Sequence, residues 1–198
     1  MNEGTAMTDE RELIDRAQRG DMESFRLLVE RARANVYRLA YDLTSNRHDA
    51  EDLSQEVFLK VYRSLQQFRG DAKWSSWLYR ITVNTCCDHY KSGTTKIMKR
   101  TEDIENDKSN NIFCSDAALP DKSANAKMIQ ENIDRALHQL TSRERSVFVL
   151  RHYHDLPLKQ IAETLEITDG TVKTLLFRAI QKLRQELAFY KNDLGLEG

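Results

Sequence analysis

Between Thr171 and Lys191 five cations, Lys173, Arg178, Lys182, Arg184 and Lys191, stand against one anion, Glu186, a local charge of +4. On a helical projection Val172, Leu175, Leu176, Ala179 and Leu183 form an apolar stripe that turns Lys173, Thr174, Phe177, Arg178, Gln181 and Lys182 outward. Cations beside hydroxyl and aromatic groups on one face suit a nucleic-acid groove, where charge meets phosphate and the other groups meet base edges. The same pattern describes an amphipathic helix with a solvated basic face. Against the first reading stands the whole chain, with 30 Lys+Arg, 31 Asp+Glu and a formal net charge of -1. A free-standing DNA binder carries a basic excess that displaces counterions. Either this helix does something else, or the chain binds DNA only with help.

Other reactive side chains offer less. His152 and His154 are two apart, a spacing that points them to different sides of a helix, so surface histidines are expected and no metal site. Cys86, Cys87 and Cys114 have no metal or CxxC spacing and read as reduced structural thiols. No nucleophile–base pair, Gly-rich phosphate loop or cofactor motif is present, so the chain is expected not to be an enzyme and to need no cofactor.

The elements that position the basic helix are legible nearby. Ala162 is small where a preceding helix must approach closely, and Leu165, Ile167, Val172 and Leu175 occupy packing positions for a helix-turn-helix. Thr168 or Asp169 can cap the second helix, and its free N–H groups suit a phosphate. Upstream, Ile129, Ile133, Leu137 and Leu140 form a stripe. Thr141 and Glu144 have capping-box spacing ahead of "RERSVFVLRHYHD", and Pro157 opens "PLKQIAETLEI".

Residues 9–90 are also densely helical in pattern. Leu13, Ile14 and Ala17 precede a break at Gly20-Asp21. Phe25, Leu28, Val29, Ala32, Val36, Leu39, Ala40 and Leu43 then recur at helical spacing. Asp49 can cap or begin the next helix, whose buried side is marked by Leu53, Val57, Phe58 and Val61. After a polar stretch, Trp74, Trp77, Leu78 and Ile81 repeat, with Trp77 a core position and Trp74 the freer ring. Residues 92–126 are polar, contain Pro120 and show no period, which reads as a flexible linker. The expected fold is all-α, with two small helical domains at 8–91 and 127–190 joined by that linker. Seven Gly and 2 Pro in 198 residues fit this. No apolar run is long enough to span a bilayer and the acidic N-terminus lacks a secretory pattern, so cytosol is expected. Met7 is a second candidate start, because residues 1–6 carry no structural signal.

"DAEDLSQEVFLKVYRSLQQFRG" followed by "WSSWLYRITVN" resembles region 2 of the extracytoplasmic-function sigma factors of the sigma-70 family. "LTSRERSVFVLRHYHDLPLKQIAETLEITDGTVKTLLFRAIQKLR" resembles their region 4. The two stand in the family's order, separated by a variable linker. The resemblance implies a subunit that directs core RNA polymerase to −35/−10 promoters of a specialised stress or envelope regulon, cytoplasmic and commonly held inactive by an anti-sigma factor, often membrane-bound. It implies that Asp49, Asp52, Gln55, Glu56 and Phe58 meet the β′ clamp helices, with the β flap as a further polymerase contact. It places Phe68, Arg69, Trp74 and Trp77 in the promoter-melting loop, and Tyr79, Arg80, Asn84 and His89 on the helix that reads the −10 element. Thr171, Lys173, Thr174, Phe177, Arg178 and Lys182 fall at −35 positions.

The chain departs from the family in carrying Leu175, followed by Leu176, where many relatives have a basic residue, and Ile180 in place of the usual Arg. The basic run after Tyr90 also thins to Lys91, Lys96, Lys99 and Arg100. Fewer cations imply fewer phosphate contacts or a different −35 sequence. A near-neutral subunit that borrows affinity from polymerase fits the charge balance. A helix-turn-helix repressor would instead need an N-terminal dimerisation or ligand domain, and the melting-loop motif argues against one.

Overall fold

The computed structural model describes residues 3–101 and 124–193, with side chains placed between 10 and 91 and between 129 and 188 apart from Glu131. Every regular element among the described residues is helical. Helix α1, Glu3–Gln18, stops where Gly20 takes φ +95, and Asp21 caps α2, Met22–Thr44, by accepting from the Glu23 N–H. Ser45, in the left-handed region at φ 52, ends α2. Asn46 rather than Asp49 caps α3, Arg47–Ser64; Asp49 lies in its first turn and donates its N–H to the Asn46 side chain at 3.1 Å. A 3-10 turn at Leu65–Gln67 and a loop with Gly70 at φ 78 lead to α4, Trp74–Thr101.

The second half holds α5, Ala124–His138; α6, Ser142–His152; α7, Leu158–Leu165; and α8, Asp169–Asp193. The expected capping box is present: Thr141 accepts from the Glu144 N–H at 3.3 Å, and Glu144 accepts from the Thr141 N–H at 3.0 Å. Of the expected linker 92–126, residues 92–101 continue α4 and 124–126 open α5, while 102–123 lie outside the described residues.

Three apolar clusters hold these helices. One joins α1, α2, α3 and the start of α4 through Leu28, Val36, Val57, Val61 and Leu78. A smaller one fastens α5 to α8 through Leu137, Leu140, Ala179 and Leu183. The third crosses between the halves, with Leu39, Leu43, Leu53, Val83 and Cys86 sharing a core with Val147, Leu150, Ile161, Ala162 and Val172. Each fully buried Leu, Ile or Val contributes about 1.5–3 kcal/mol of transfer free energy before cavity effects. The two helical units joined by the linker therefore also share an apolar seam.

Candidate nucleic-acid and partner interfaces

In the helix-turn-helix, α7 ends at Glu166 in the left-handed region, φ 54, and the Ile167 N–H returns to the Ala162 carbonyl at 3.0 Å. Thr168 caps α8, its hydroxyl accepting from the Thr171 N–H at 3.2 Å. Val172 is fully buried in the core that holds Ile161 and Ala162, which fixes the rotation of α8. That rotation exposes Lys173, Thr174 and Arg178 and leaves the Phe177 ring 64% exposed. A phenyl ring so placed has an apolar face to offer a thymine methyl or a sugar. The Thr171 hydroxyl is shared with Thr168 at 2.8 Å, and the Thr174 hydroxyl donates back to the Gly170 carbonyl. Lys182 is only partly turned to solvent, where the projection implied an outward cation. Its Nζ reaches 2.7 Å to Glu144 Oε2, so its charge serves the start of α6.

The loop before α4 is built around a cluster of three rings in edge-on and tilted contact. Phe68 meets Trp74 edge-on at 5.5 Å and Trp77 at 5.1 Å, and the two indoles lie 5.2 Å apart. Trp74, expected to be the freer ring, is only 6% exposed because Phe68 closes over it. Its margin lines a cleft of about 100 Å³ together with Arg31, Asn35, Ser75, Leu78 and Tyr79. Arg69 is exposed at the lip of this loop. Further along α4, Asn84 and His89 are exposed, with His89 Nε2 3.8 Å from Asp49 Oδ1. Tyr79 and Arg80 face the other half of the chain, where the Tyr79 ring lies 5.7 Å from His154 and Arg80 pairs with Glu166.

His154 is a correction to the sequence reading. Its side chain is 6% exposed, with Nε2 2.9 Å from Asp42 Oδ2. His152 does stay at the surface. Cys86 is buried, and burial pushes its thiol up to about 12; burial also raises Cys87, whose Sγ lies 3.7 Å from Ser146 Oγ. Cys114 lies outside the described residues.

A second surface runs along α3. Asp52, Gln55 and Glu56 are exposed, Asp49 is half-buried beside His89, and Phe58 packs partly against the first core. Two residues that sequence reasoning passed over complete the stripe, the exposed Leu59 and Tyr62. Gln55, Leu59 and Tyr62 are spaced four and three apart, so one face of α3 alternates acid, amide and apolar groups. That spacing was the signal available for them. Phe25 on α2 supports the Tyr62 ring at 5.2 Å.

Residues 28–95 match the model of Sigma-70 region 2, and residues 130–183 match that of Sigma-70, region 4. The chain belongs to the sigma-70 family. Among curated proteins, the RNA polymerase sigma-H factor of Pseudomonas aeruginosa is 32% identical over 186 residues, covering 90% of this chain and 93% of that one. The ECF RNA polymerase sigma factor SigW of Bacillus subtilis is 30% identical, covering 88% and 94%. The ECF RNA polymerase sigma-E factor of Escherichia coli is 32% identical, covering 84% and 88%. These place it in the extracytoplasmic-function group. CnrH, solved in complex with the cytosolic domain of CnrY, has the same fold, with a TM-score of 0.64 at 21% identity over 91% of this chain and 97% of that one. The sigma factor RpoE of Bartonella quintana, solved in complex with the anti-sigma factor NepR, gives 0.62 at 17% identity over 84% and 98%. The two helical units are thus sigma regions 2 and 4 in a promoter-directing transcription factor. Among the described residues no helix is long and apolar enough to cross a membrane.

Proposed function

We propose that this sigma factor serves a specialised stress or envelope regulon from the cytoplasm. It acts without catalysis of its own and is restrained by an anti-sigma factor. The observation that carries the promoter-reading part is the pairing of two separate surfaces on one chain: the exposed Lys173–Thr174–Phe177–Arg178 face of α8 and the acidic–apolar stripe of α3. The α8 face reads the −35 major groove, with Lys173 and Arg178 on phosphate or guanine and Phe177 against apolar base edges. The α3 stripe, Asp52, Gln55, Glu56, Leu59 and Tyr62, docks on the β′ clamp helices, where exposed carboxylates steer toward cations and the two apolar side chains gain burial. Phe68, Arg69 and the cleft beside Trp74 hold an unpaired base of the −10 element, while Asn84 and His89 extend that contact along α4. Melting is then driven by binding, and the phosphodiester chemistry belongs to the polymerase.

The sigma–anti-sigma complexes of CnrH and RpoE support the expectation of an anti-sigma partner through the shared fold. The test is run-off transcription with sigma-free core polymerase on a library of −35/−10 promoters. Promoter-specific transcripts that vanish without the protein are expected. Failure to bind core polymerase at all would sink the assignment of the α3 stripe.

A further inference from the structure

The last residue of α1, Gln18, reaches the chain that leads into the loop before α4, 47 and 50 positions away. Its Nε2 donates to the Leu65 carbonyl and to the Phe68 carbonyl, each at 2.8 Å, which uses both N–H groups of the amide. The Gln66 amide returns the contact by donating to the Gln18 carbonyl. Leu65 also accepts the Phe68 N–H at 3.1 Å and closes the 3-10 turn. Phe68 itself follows that turn in extended backbone, ψ 107, outside any helix, and its carbonyl is the one that Gln18 takes up.

Gln18 is itself held in place. Leu13, Ile14 and Ala17 bury the preceding turns of α1 in the first core, and the helix closes with the Arg19 and Gly20 N–H groups on the Arg16 and Ala17 carbonyls at 3.0 Å. Arg16 then pairs with Asp21 at 2.8 Å across the Gly20 turn. Water could satisfy the same loop carbonyls, but water has no fixed address. An amide tied to the core does, and it restricts the backbone at Phe68 before any DNA arrives, so that part of the ordering cost is not met on binding. What is fixed matters, because the Phe68 ring is the one that closes over Trp74 at 5.5 Å and touches Trp77 at 5.1 Å, and Arg69 is the next residue.

We propose that Gln18 is a positioning residue for promoter opening: its amide pins the Leu65 and Phe68 carbonyls, so that Phe68 and Arg69 stand beside the Trp74 cleft in the geometry that takes an unpaired base. The proposal rests on the reading of that loop and cleft as the place where the −10 base is held. Gln18 touches no base and acts through Phe68. The chemistry of the contact demands two donors at this reach. A glutamate there turns two acceptor oxygens against two carbonyl oxygens, and a methionine keeps the length and offers no donor at all. Helix α1 thereby sets the shape of the loop as well as closing the core of the first unit.

The test uses the full chain with Gln18→Met and Gln18→Glu. The only two tryptophans in the sequence, Trp74 and Trp77, both meet Phe68, so intrinsic fluorescence of the free chain reports on this site alone. Each variant is expected to raise the acrylamide quenching constant about twofold. Gln66→Ala, at an exposed position that leaves the core intact, loosens the same contact and should raise it by a smaller margin. In the holoenzyme, 2-aminopurine placed in the −10 element follows base unstacking, and Gln18→Met is expected to slow opening about tenfold while affinity for core polymerase and for a −35 duplex stays within about twofold. Because Gln18 acts through Phe68, the same change in a Phe68→Ala background should cost less than about twofold more. On a promoter with an abasic site at the captured position, wild type and Gln18→Met should open equally fast. Unchanged quenching in all three variants overturns the proposal. So does a deficit undiminished in the Phe68→Ala background, or one that follows a parallel loss of core binding, which is what a merely structural role would give. Failure of the −10 reading has a different signature: quenching rises as described, yet no abasic substitution across the −10 element slows the wild type.

Discussion

Replacing Lys182 by Ala separates two roles for one cation. By sequence position Lys182 belongs with the −35 contacts, but in the structure its Nζ sits 2.7 Å from Glu144 Oε2, whose side chain is 5% exposed. Removing one member of a fully buried ion pair costs about 3–5 kcal/mol. Lys182 itself is 41% exposed, so water screens part of the pair, and Glu144 keeps the Thr141 N–H at 3.0 Å. The expected loss therefore falls to about 1–2 kcal/mol, or roughly 2–8 °C in melting temperature for a chain of this size.

The sign with pH follows from Glu144. Burial raises its pKa, but the hydrogen bonds from Lys182 and Thr141 outweigh burial and hold it below its ordinary value. Its contribution is present above the unfolded pKa and is lost as pH falls through the lower folded value. Wild type should therefore lose more stability than Lys182→Ala between about pH 5 and pH 3. Urea unfolding at several pH values measures both quantities, and Glu144→Gln in the same background closes a double-mutant cycle. If Lys182→Ala leaves stability untouched at every pH while weakening a −35 duplex, the cation serves phosphate and the packing argument is wrong.

Three other outcomes follow from named contacts. Arg178→Ala is expected to weaken a −35 duplex by about 1–3 kcal/mol if its partner is a base, or to lower the salt slope by about 1 if its partner is a phosphate; fluorescence anisotropy of the holoenzyme at three salt concentrations tells these apart. Leu59→Arg adds a cation to an exposed apolar position and should reduce affinity for core polymerase about tenfold or more while the melting temperature of the free chain stays within about 2 °C. Burial holds the Cys86 thiol near 12, so at pH 8 it should alkylate about 1,000-fold more slowly than an unhindered thiol, as read by peptide mass spectrometry of chains quenched over time.

The parts of this molecule that sequence could show are those set by neighbours in the chain. The Thr141–Glu144 capping box, the break at Gly20-Asp21 and the outward turn of Phe177 all depend on residues within one or two turns, and the structure has them as expected. Asn46 displaced Asp49 as the cap of α3 because both are good capping residues and only the extended backbone at Asn46, ψ 124, decides between them. The misjudged side chains share another property: their partners are remote. His154 finds Asp42 across 112 positions, and Lys182 reaches Glu144 across 38. The sequence pattern turns both to the surface and stops there. Trp74 failed for a nearer reason, since the 68–73 loop has no period and nothing in its pattern says that Phe68 folds back over the indole.

The question raised by a basic helix on a neutral chain has its answer in where the charges sit. Glu51, Asp52 and Glu56 are exposed on α3, Lys173 and Arg178 on α8, and Arg80 on α4 is matched with Glu166 while region 4 is in place. The formal balance of -1 is thus the sum of segregated patches, each suited to a different partner. Docking both regions on polymerase supplies millimolar-scale effective concentration of each DNA-reading surface for its own element. Thinning the cations at Leu175 and Ile180 costs such a subunit little, because tethering replaces the affinity that counterion release would otherwise have to provide.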